Sequence, residues 1–272
     1  FSVKNLRLSQ NNQIKKIDQL DLNYLDKDEK KNSVLLLRKD KEYILKGSYF
    51  NFDNLLENIL NNENESSNVL DINNLLKIDI NKVGIDKDNN LSNLKGTLFF
   101  KKQQIVRGKL EGFFSEDEKL KLTVNTNGNN KITTLFLDRA KPIIRRYKFI
   151  KGFEEGKLDF YSSSNGEETS STLKIYNFKL KELPGLTKVL TLASLQGIAD
   201  TLSGEGIRFD EFEMNFRNKK DLMTIDEIYA IGPAISVLMN GYIEKNRLIS
   251  LRGTLVPATT INKFIGSLPV LG

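Results

Sequence analysis

The sequence contains no cysteine, no histidine and no tryptophan, and only five prolines and three methionines. Without cysteine there can be no disulfide and no thiolate chemistry. A secreted chain of this size can do without disulfides, so the compartment stays open on this ground. Without histidine the commonest general base and the commonest zinc ligand are missing, and no ordinary Ser-His-Asp triad can be assembled. No stretch reaches the roughly 18 consecutive apolar residues that a membrane-spanning helix needs. No signal-peptide pattern opens the chain. The start at Phe1, without Met, and the stop at Gly272 read as cut ends, which leaves room for a membrane anchor outside the chain.

What is present is a balanced composition: 272 residues, 39% hydrophobic and 28% charged, with a formal net charge of +6. That is long enough for one large β domain or two smaller ones and apolar enough to bury a real surface. The positive charge is dispersed. Most lysines alternate with apolar residues or sit beside acids, and Arg145, Arg146 and Lys148 form the one tight basic group. With no aromatic platform flanked by bases, nucleic-acid binding is not supported. A solvated basic face, or weak attraction to anionic lipid headgroups, fits the pattern better.

Period-2 alternation dominates the chain. Leu76, Ile78 and Ile80 alternate with Lys77 and Asp79. Leu120, Leu122 and Val124 alternate with Lys121 and Thr123. Ile235, Val237 and Met239 form a third run, and Ile249, Leu251 and Leu255 share one side of a fourth. Each run reads as a strand with one apolar and one wetter face, as in antiparallel sheets. Turn signals at Asp88-Asn89-Asn90, Asn127-Gly128-Asn129, Ser164-Asn165-Gly166 and Lys245-Asn246 join the strands into hairpins and meanders. The spacing predicts very roughly fifteen to twenty strands. Stacked in one sheet at about 4.8 Å each, they would extend on the order of 70–95 Å.

Helices are few. Asp53 is placed to cap a short one carrying Leu55, Leu56, Ile59 and Leu60. Asp138 is placed to cap a second over Arg139 to Arg146, with Pro142 tolerated near the first turn. Pro184 to Leu202 carries apolar residues at three- and four-residue spacing and ends before Gly204. Thr259 to Ile265 reads as a last short helix. The polar run at 61–68 reads as a linker or loop. It separates a β-rich segment with a short helix, residues 1–60, from a second β-rich region, 69–272. A weak internal repeat relates Gly47–Leu60 to Leu135–Ile150, each reading strand, acidic cap, helix.

The motifs that could carry chemistry fail on their spacing. Asp86, Asp88 and Asn90 open like a calcium loop, but Leu91 stands where the turn glycine belongs and Thr97 where the bidentate acid belongs. Gly204-Glu205-Gly206 follows a helical pattern instead of a strand, and Phe209 replaces the third glycine of a dinucleotide loop. The acid groups Glu116-Asp117-Glu118, Glu154-Glu155, Glu167-Glu168 and Asp226-Glu227 read as wet surface, since adjacent residues in strands point to opposite sides. No catalytic, cofactor or metal residue is expected, and the chain is not expected to be an enzyme.

The last part of the chain carries the most specific pattern. Ser203, Gly204, Gly206 and Phe209 follow a helical stretch; Gly232, Pro233 and Ala234 make a turn. Gly241, Gly253, Val256, Pro257, Leu268 and Pro269 complete the series. Leu137-Asp138, Gly156 to Phe160 and Thr172 to Phe178 fit upstream of it. Over Thr133 to Gly272 this resembles the carboxy-terminal region of AsmA-like proteins of the YhdP type, a family of bacterial envelope proteins that act as lipid-transporting bridges. The resemblance implies a mainly β fold: a long, curved antiparallel sheet, open like a groove and punctuated by a few short helices. It implies a location in the bacterial periplasm, with an inner-membrane anchor outside this chain. It also implies shielding of phospholipid acyl chains on the way between the inner and outer membranes, with no cofactor and no nucleic acid. On that reading Leu120, Leu122, Val124, Ile235, Val237, Met239, Ile249, Leu251 and Leu255 are the candidate groove residues. The alternation by itself fits a closed sandwich or barrel core equally. A non-transport scaffold for outer-membrane protein assembly or envelope integrity is the alternative role.

Overall fold

The computed structural model describes residues 1–8, 14–53, 74–101, 104–145, 152–181, 206–233, 235–244 and 247–257. Among them the fold is mainly β and mostly antiparallel, as the alternation predicts, with almost no helix, and the sheet is open where the alternation alone fits a closed sandwich or barrel equally. The chain divides into two compact units, Phe1–Leu137 and Asp138–Gly272.

In the first unit the chain forms β1 (Ser2–Lys4), β2 (Arg7–Leu8), β3 (Ile14–Lys16) and β4 (Gln19–Leu25), then β5 (Lys31–Lys39), β6 (Glu42–Asn51) and β7 (Leu75–Gly84). These are followed by β8 (Asn90–Lys101), β9 (Gln104–Phe113), β10 (Lys119–Asn127) and β11 (Asn130–Leu137). β2 and β3 pair as a separate small ribbon, and the remaining strands follow the order β1-β4-β5-β6-β7-β8-β9-β10-β11. Every pair in that order is antiparallel except β6–β7, which is parallel. Parallel neighbours need a crossover of a dozen or more residues, and residues 52–74, which include the polar run, supply that length. The linker at 61–68 and the helix after Asp53 lie outside the described residues.

The core of this unit is built around Val34, Ile80, Val83, Ile85 and Leu91, with Leu22, Leu45, Phe50, Phe52, Leu94 and Phe114 among the side chains packed on it. At one end of the strands a polar knot seals it. Asn32 is fully buried; its Oδ1 accepts from the Asn51 N–H at 2.6 Å, and its Nδ2 donates to Asp26 Oδ2 at 3.2 Å. The same Asp26 oxygen accepts from Asn51 Nδ2 at 2.7 Å, while Asp26 Oδ1 accepts from the Asp28 and Lys30 N–H groups, each at 3.0 Å. The Asn51 amide first, then the Lys30 N–H and the Asn32 amide, stabilise the charged form more than desolvation opposes it. They hold Asp26 at about 2 instead of 3.8. A carboxyl depressed in the folded state contributes stability that is complete above its unfolded value and is lost as pH falls through the folded one. The contribution of Asp26 is therefore expected to disappear between pH 3.8 and about 2. Acid unfolding followed by circular dichroism should show a shallower slope in that window for Asp26→Asn; an unchanged slope would rule this knot out as a titrating element.

The second unit begins with α1 (Lys141–Ile144) and continues as β12 (Phe153–Ser164), β13 (Thr169–Leu180) and β14 (Ile207–Lys219). β15 (Leu222–Ile231), β16 (Ile235–Glu244) and β17 (Leu248–Pro257) complete it, and the six strands lie in sequence order, each antiparallel to the next. α1 corrects the expectation for Arg139–Arg146. It is one turn long, its N-cap is Ala140, and no side chain caps it. Asp138 stands too early in the chain for that job, and its carboxylate instead takes the Lys157 ammonium at 2.9 Å. Pro142 does sit in the first turn, where a missing N–H costs nothing. The helices expected at Pro184–Leu202 and Thr259–Ile265 lie outside the described residues.

The turns fall where Asn, Asp and Gly cluster. In the β7–β8 turn, Asp86 Oδ1 accepts from the Asp88 and Asn89 N–H groups, each at 2.8 Å, and from Asn89 Nδ2 at 3.0 Å. The turn's own donors thus occupy the carboxylate that a calcium loop would need free. Asn127–Asn130 and Ser164–Thr169 close the β10–β11 and β12–β13 hairpins; Lys245-Asn246 lies outside the described residues.

Candidate functional site

Residues that pair directly across neighbouring strands share a face of the sheet. The register therefore shows which apolar residues the sequence pattern brings together. In the first unit one row reads Leu20, Leu36, Leu45, Ile78, Gly96, Leu110, Leu122, Leu135, from β4 to β11 without a gap. The row beside it contains Leu120 paired with Leu137, and the row on the other side contains Tyr43, Leu76, Leu98, Gly108 and Val124. This is one continuous apolar face. The opposite face carries the row Lys46, Asp79, Lys95, Glu111, Lys121, in which every charge faces its opposite. Lys95 Nζ lies 3.5 Å from Asp79. Such exposed pairs add little stability, but they fix which side of the sheet is wet.

The second unit repeats the division. Leu158, Ile175, Phe212, Ala230, Val237 and Leu255 form one row across all six strands. Phe160, Leu173, Met214, Ile228, Met239 and Gly253 form the next. Beyond them lie rows that end at Leu251 and Ile249. At the other side of the same face the Phe178 ring stacks on Phe153 and Phe209, with centroids 5.3 and 5.2 Å apart. The opposite face again holds the ions. Lys174 Nζ meets Glu213 at 2.7 Å, Lys179 meets Glu155 at 2.9 Å, and Arg217 grips Asp226 through two bonds of 3.0 and 2.7 Å. Each of these hydrogen-bonded cations holds its carboxyl below the usual carboxylate range. Of the sequence's paired acids, Glu155 and Asp226 thus sit on the wet face beside fixed cations, which suits ion pairs better than proton transfer.

Burial along the apolar face is uneven. Leu158, Ile175, Ile225 and Ala230 are buried, and Ile235 is completely so. Exposure rises toward β17, where Leu251 is 39% and Ile249 65% exposed. The nine sequence-derived candidates therefore separate. Leu120 and Leu122 are half-buried and Val124 is buried, all in the first unit. In the second unit Val237, Met239 and Leu255 are half-buried, Leu251 and Ile249 are exposed, and Ile235 offers no surface at all. The register also adds residues that alternation alone does not single out, among them Leu110, Leu135, Phe212 and Met214. Cross-strand pairing is the signal that finds them, and it is not written in any one strand.

A shallow dish in the second unit is lined by Leu222, Thr224, Asp226, Asn240, Tyr242 and Arg252, among others. None of the nine candidates lines it. Among the described residues no group of three acids is placed to hold a metal, and no helix is long and apolar enough to cross a membrane. Comparison with family models, with curated proteins and with solved structures finds no match to this chain.

Proposed function

We propose that this chain is a wall segment of an AsmA-like protein of the bacterial envelope. In this reading lipid acyl chains lie against its apolar sheet face while phospholipid moves between the inner and outer membranes. The observation that supports the reading is an apolar face continuous in register within each unit, half-buried over much of its extent and exposed at the β17 margin of the second. A diacyl lipid carries about 30 methylenes, and at about 0.8 kcal/mol each their exposure to water costs roughly 25 kcal/mol. An apolar strip that accompanies the chains removes most of that cost, and it needs no bond chemistry, cofactor or metal. The protein acts in the periplasm, held by an anchor outside this chain, and it is not an enzyme. A second reading, a scaffold for outer-membrane protein assembly, draws on the wet face. There Leu238, 52% exposed, lies beside Tyr229 in the register and near Ile231, 38% exposed.

A photo-crosslinking residue placed at Val237 or Leu251 separates the two. Mass spectrometry of the organic extract is expected to find phospholipid attached at both positions, and Met239→Lys is expected to lower the recovered lipid several-fold. Protein adducts without lipid adducts, or a purified chain that carries no lipid, would sink the transport reading.

A further inference from the structure

We propose that Asn127 is a site of self-modification, at which the folded chain converts its own asparagine amide to a mixture of aspartate and isoaspartate. The inference does not depend on the lipid reading. Asparagine followed by glycine is the pair in which this chemistry meets least hindrance, because no side chain shields the glycine nitrogen. The chain contains three such pairs, Asn127-Gly128, Asn165-Gly166 and Asn240-Gly241. All three asparagines are exposed, so exposure does not separate them. Restraint does. Asn240 lies inside β16, which is paired on both sides, and its Oδ1 accepts from Arg252 Nε at 3.1 Å. Asn165 Oδ1 accepts from the Glu167 and Glu168 N–H groups at 3.0 and 2.9 Å, and the Gly166 N–H donates to Ser164 Oγ at 3.4 Å. Among the described residues no hydrogen bond holds the Asn127 side chain or the Gly128 N–H.

The hairpin explains that freedom. Asn127 pairs with Asn130, which leaves Gly128 and Asn129 as a two-residue loop. Gly128 has φ of 59°, and Asn129 is not left-handed. That is the type II′ pattern, in which the turn's hydrogen bond joins the two closing residues and leaves the first loop N–H unused. A Cβ built on Gly128 would meet nothing within 4 Å, so solvent reaches this position unobstructed. Once the Gly128 nitrogen has given its proton to hydroxide, it bonds to Asn127 Cγ. The Cγ–Nδ2 bond breaks, Nδ2 leaves as ammonia, and a cyclic imide remains. Water then opens the imide, so the net change is amide plus water to acid plus ammonia, with no oxidant or reductant. Opening at Cγ gives aspartate; opening at the Asn127 backbone carbonyl carbon leaves the main chain running through Cγ, as isoaspartate. The end of β10 has to turn to bring Cγ onto the nitrogen. Hairpin tips open at low cost compared with strand interiors, and neither partner in this pair is tethered against the movement.

The whole chain, kept folded in mildly alkaline buffer and sampled over time, is digested and mapped by tandem mass spectrometry. Asn127 is expected to convert several-fold faster than Asn165 and Asn240. Both acids should appear at position 127, since direct hydrolysis of the amide gives aspartate alone. Gly128→Ala puts a side chain beside the attacking nitrogen and is expected to slow the conversion several-fold. In denaturant, where the tethers on Asn165 and Asn240 are gone, the three pairs should convert at similar rates. Asn165 or Asn240 converting as fast as Asn127 in the folded chain would overturn the proposal. So would aspartate as the sole product, a rate indifferent to Gly128→Ala, or the same order of rates in denaturant as in the folded chain.

Discussion

Replacing Phe178 by alanine is expected to cost the second unit about 4 kcal/mol, the largest loss from any single side chain in it. Phe178 is 3% exposed and lies at the centre of an aromatic group. The Phe153 and Phe209 rings stack on it at 17° and 13°, and the Phe212 ring meets it edge-on at 6.4 Å. Three strands, β12, β13 and β14, contribute to that group, so one truncation opens a cavity shared by all of them. Burial of a phenylalanine and the cavity left behind account for about 3–5 kcal/mol, and ring–ring contacts add to the upper part of the range. Phe178→Leu keeps most of the volume and is expected to cost about 1 kcal/mol. Phe136→Ala is a suitable control, since that ring is 44% exposed on the wet side of β11, and it should change stability by no more than about 0.5 kcal/mol. Denaturant titration of the full chain followed by far-ultraviolet circular dichroism measures all three. Equal losses for Phe178→Ala and Phe136→Ala would show that the stacked rings are not a core.

That aromatic group also shows why parts of the fold were legible in the sequence and others were not. Leu76-Ile78-Ile80, Leu120-Leu122-Val124 and Ile235-Val237-Met239 keep a strict period of two, and each does lie on one face. The Phe178 group does not keep that period. Phe153 and Leu158 on β12, Ile175 and Phe178 on β13, and Phe209 and Phe216 on β14 are all buried, yet each pair spans an odd number of positions. On β12 and β13 the phase slips where Glu155 and Asn177 take positive φ, at 63° and 52°. Asn93, at 51°, marks the same slip between Leu91 and Leu94 on β8. A left-handed residue inside a strand is carried by the pairing on either side, and nothing in the local alternation announces it. Degree of burial is hidden for a related reason. Ile235 and Ile249 occupy equivalent places in equivalent patterns, yet one is fully buried and the other 65% exposed. The difference lies in where their strands fall in the order, which is a property of the whole sheet. The same holds for the parallel β6–β7 pair, which a run of alternating residues cannot distinguish from an antiparallel one.

Gly241→Ala is expected to cost about 3 kcal/mol and to loosen β17 from β16. Two causes act together at this position. Gly241 has φ of 154°, a conformation that L side chains rarely adopt, and a Cβ there would overlap the Ser250 carbonyl oxygen and sit 3.0 Å from Leu251 Cα. Both obstacles are backbone atoms of the facing strand, so no rotamer change relieves them. Gly96 in the first unit meets the same two obstacles, from Lys109 and Leu110, at the same φ. Gly128 separates the causes. It has φ of 59° but nothing within 4 Å of a Cβ, so Gly128→Ala carries only the conformational penalty, about 1 kcal/mol. Gly128→Asn should cost less still, because asparagine tolerates that region. Hydrogen exchange on the β17 amides locates the effect: Gly241→Ala should lower their protection while leaving β12 and β13 as they were, and Gly128→Ala should not touch them. β17 carries the exposed end of the second unit's apolar face. A variant that detaches it should therefore lose lipid capture at Leu251, with the Phe178 core still folded. If Gly241→Ala left β17 as protected as before, the close approach of the two backbones at Gly241 would not be what holds the last strand in place.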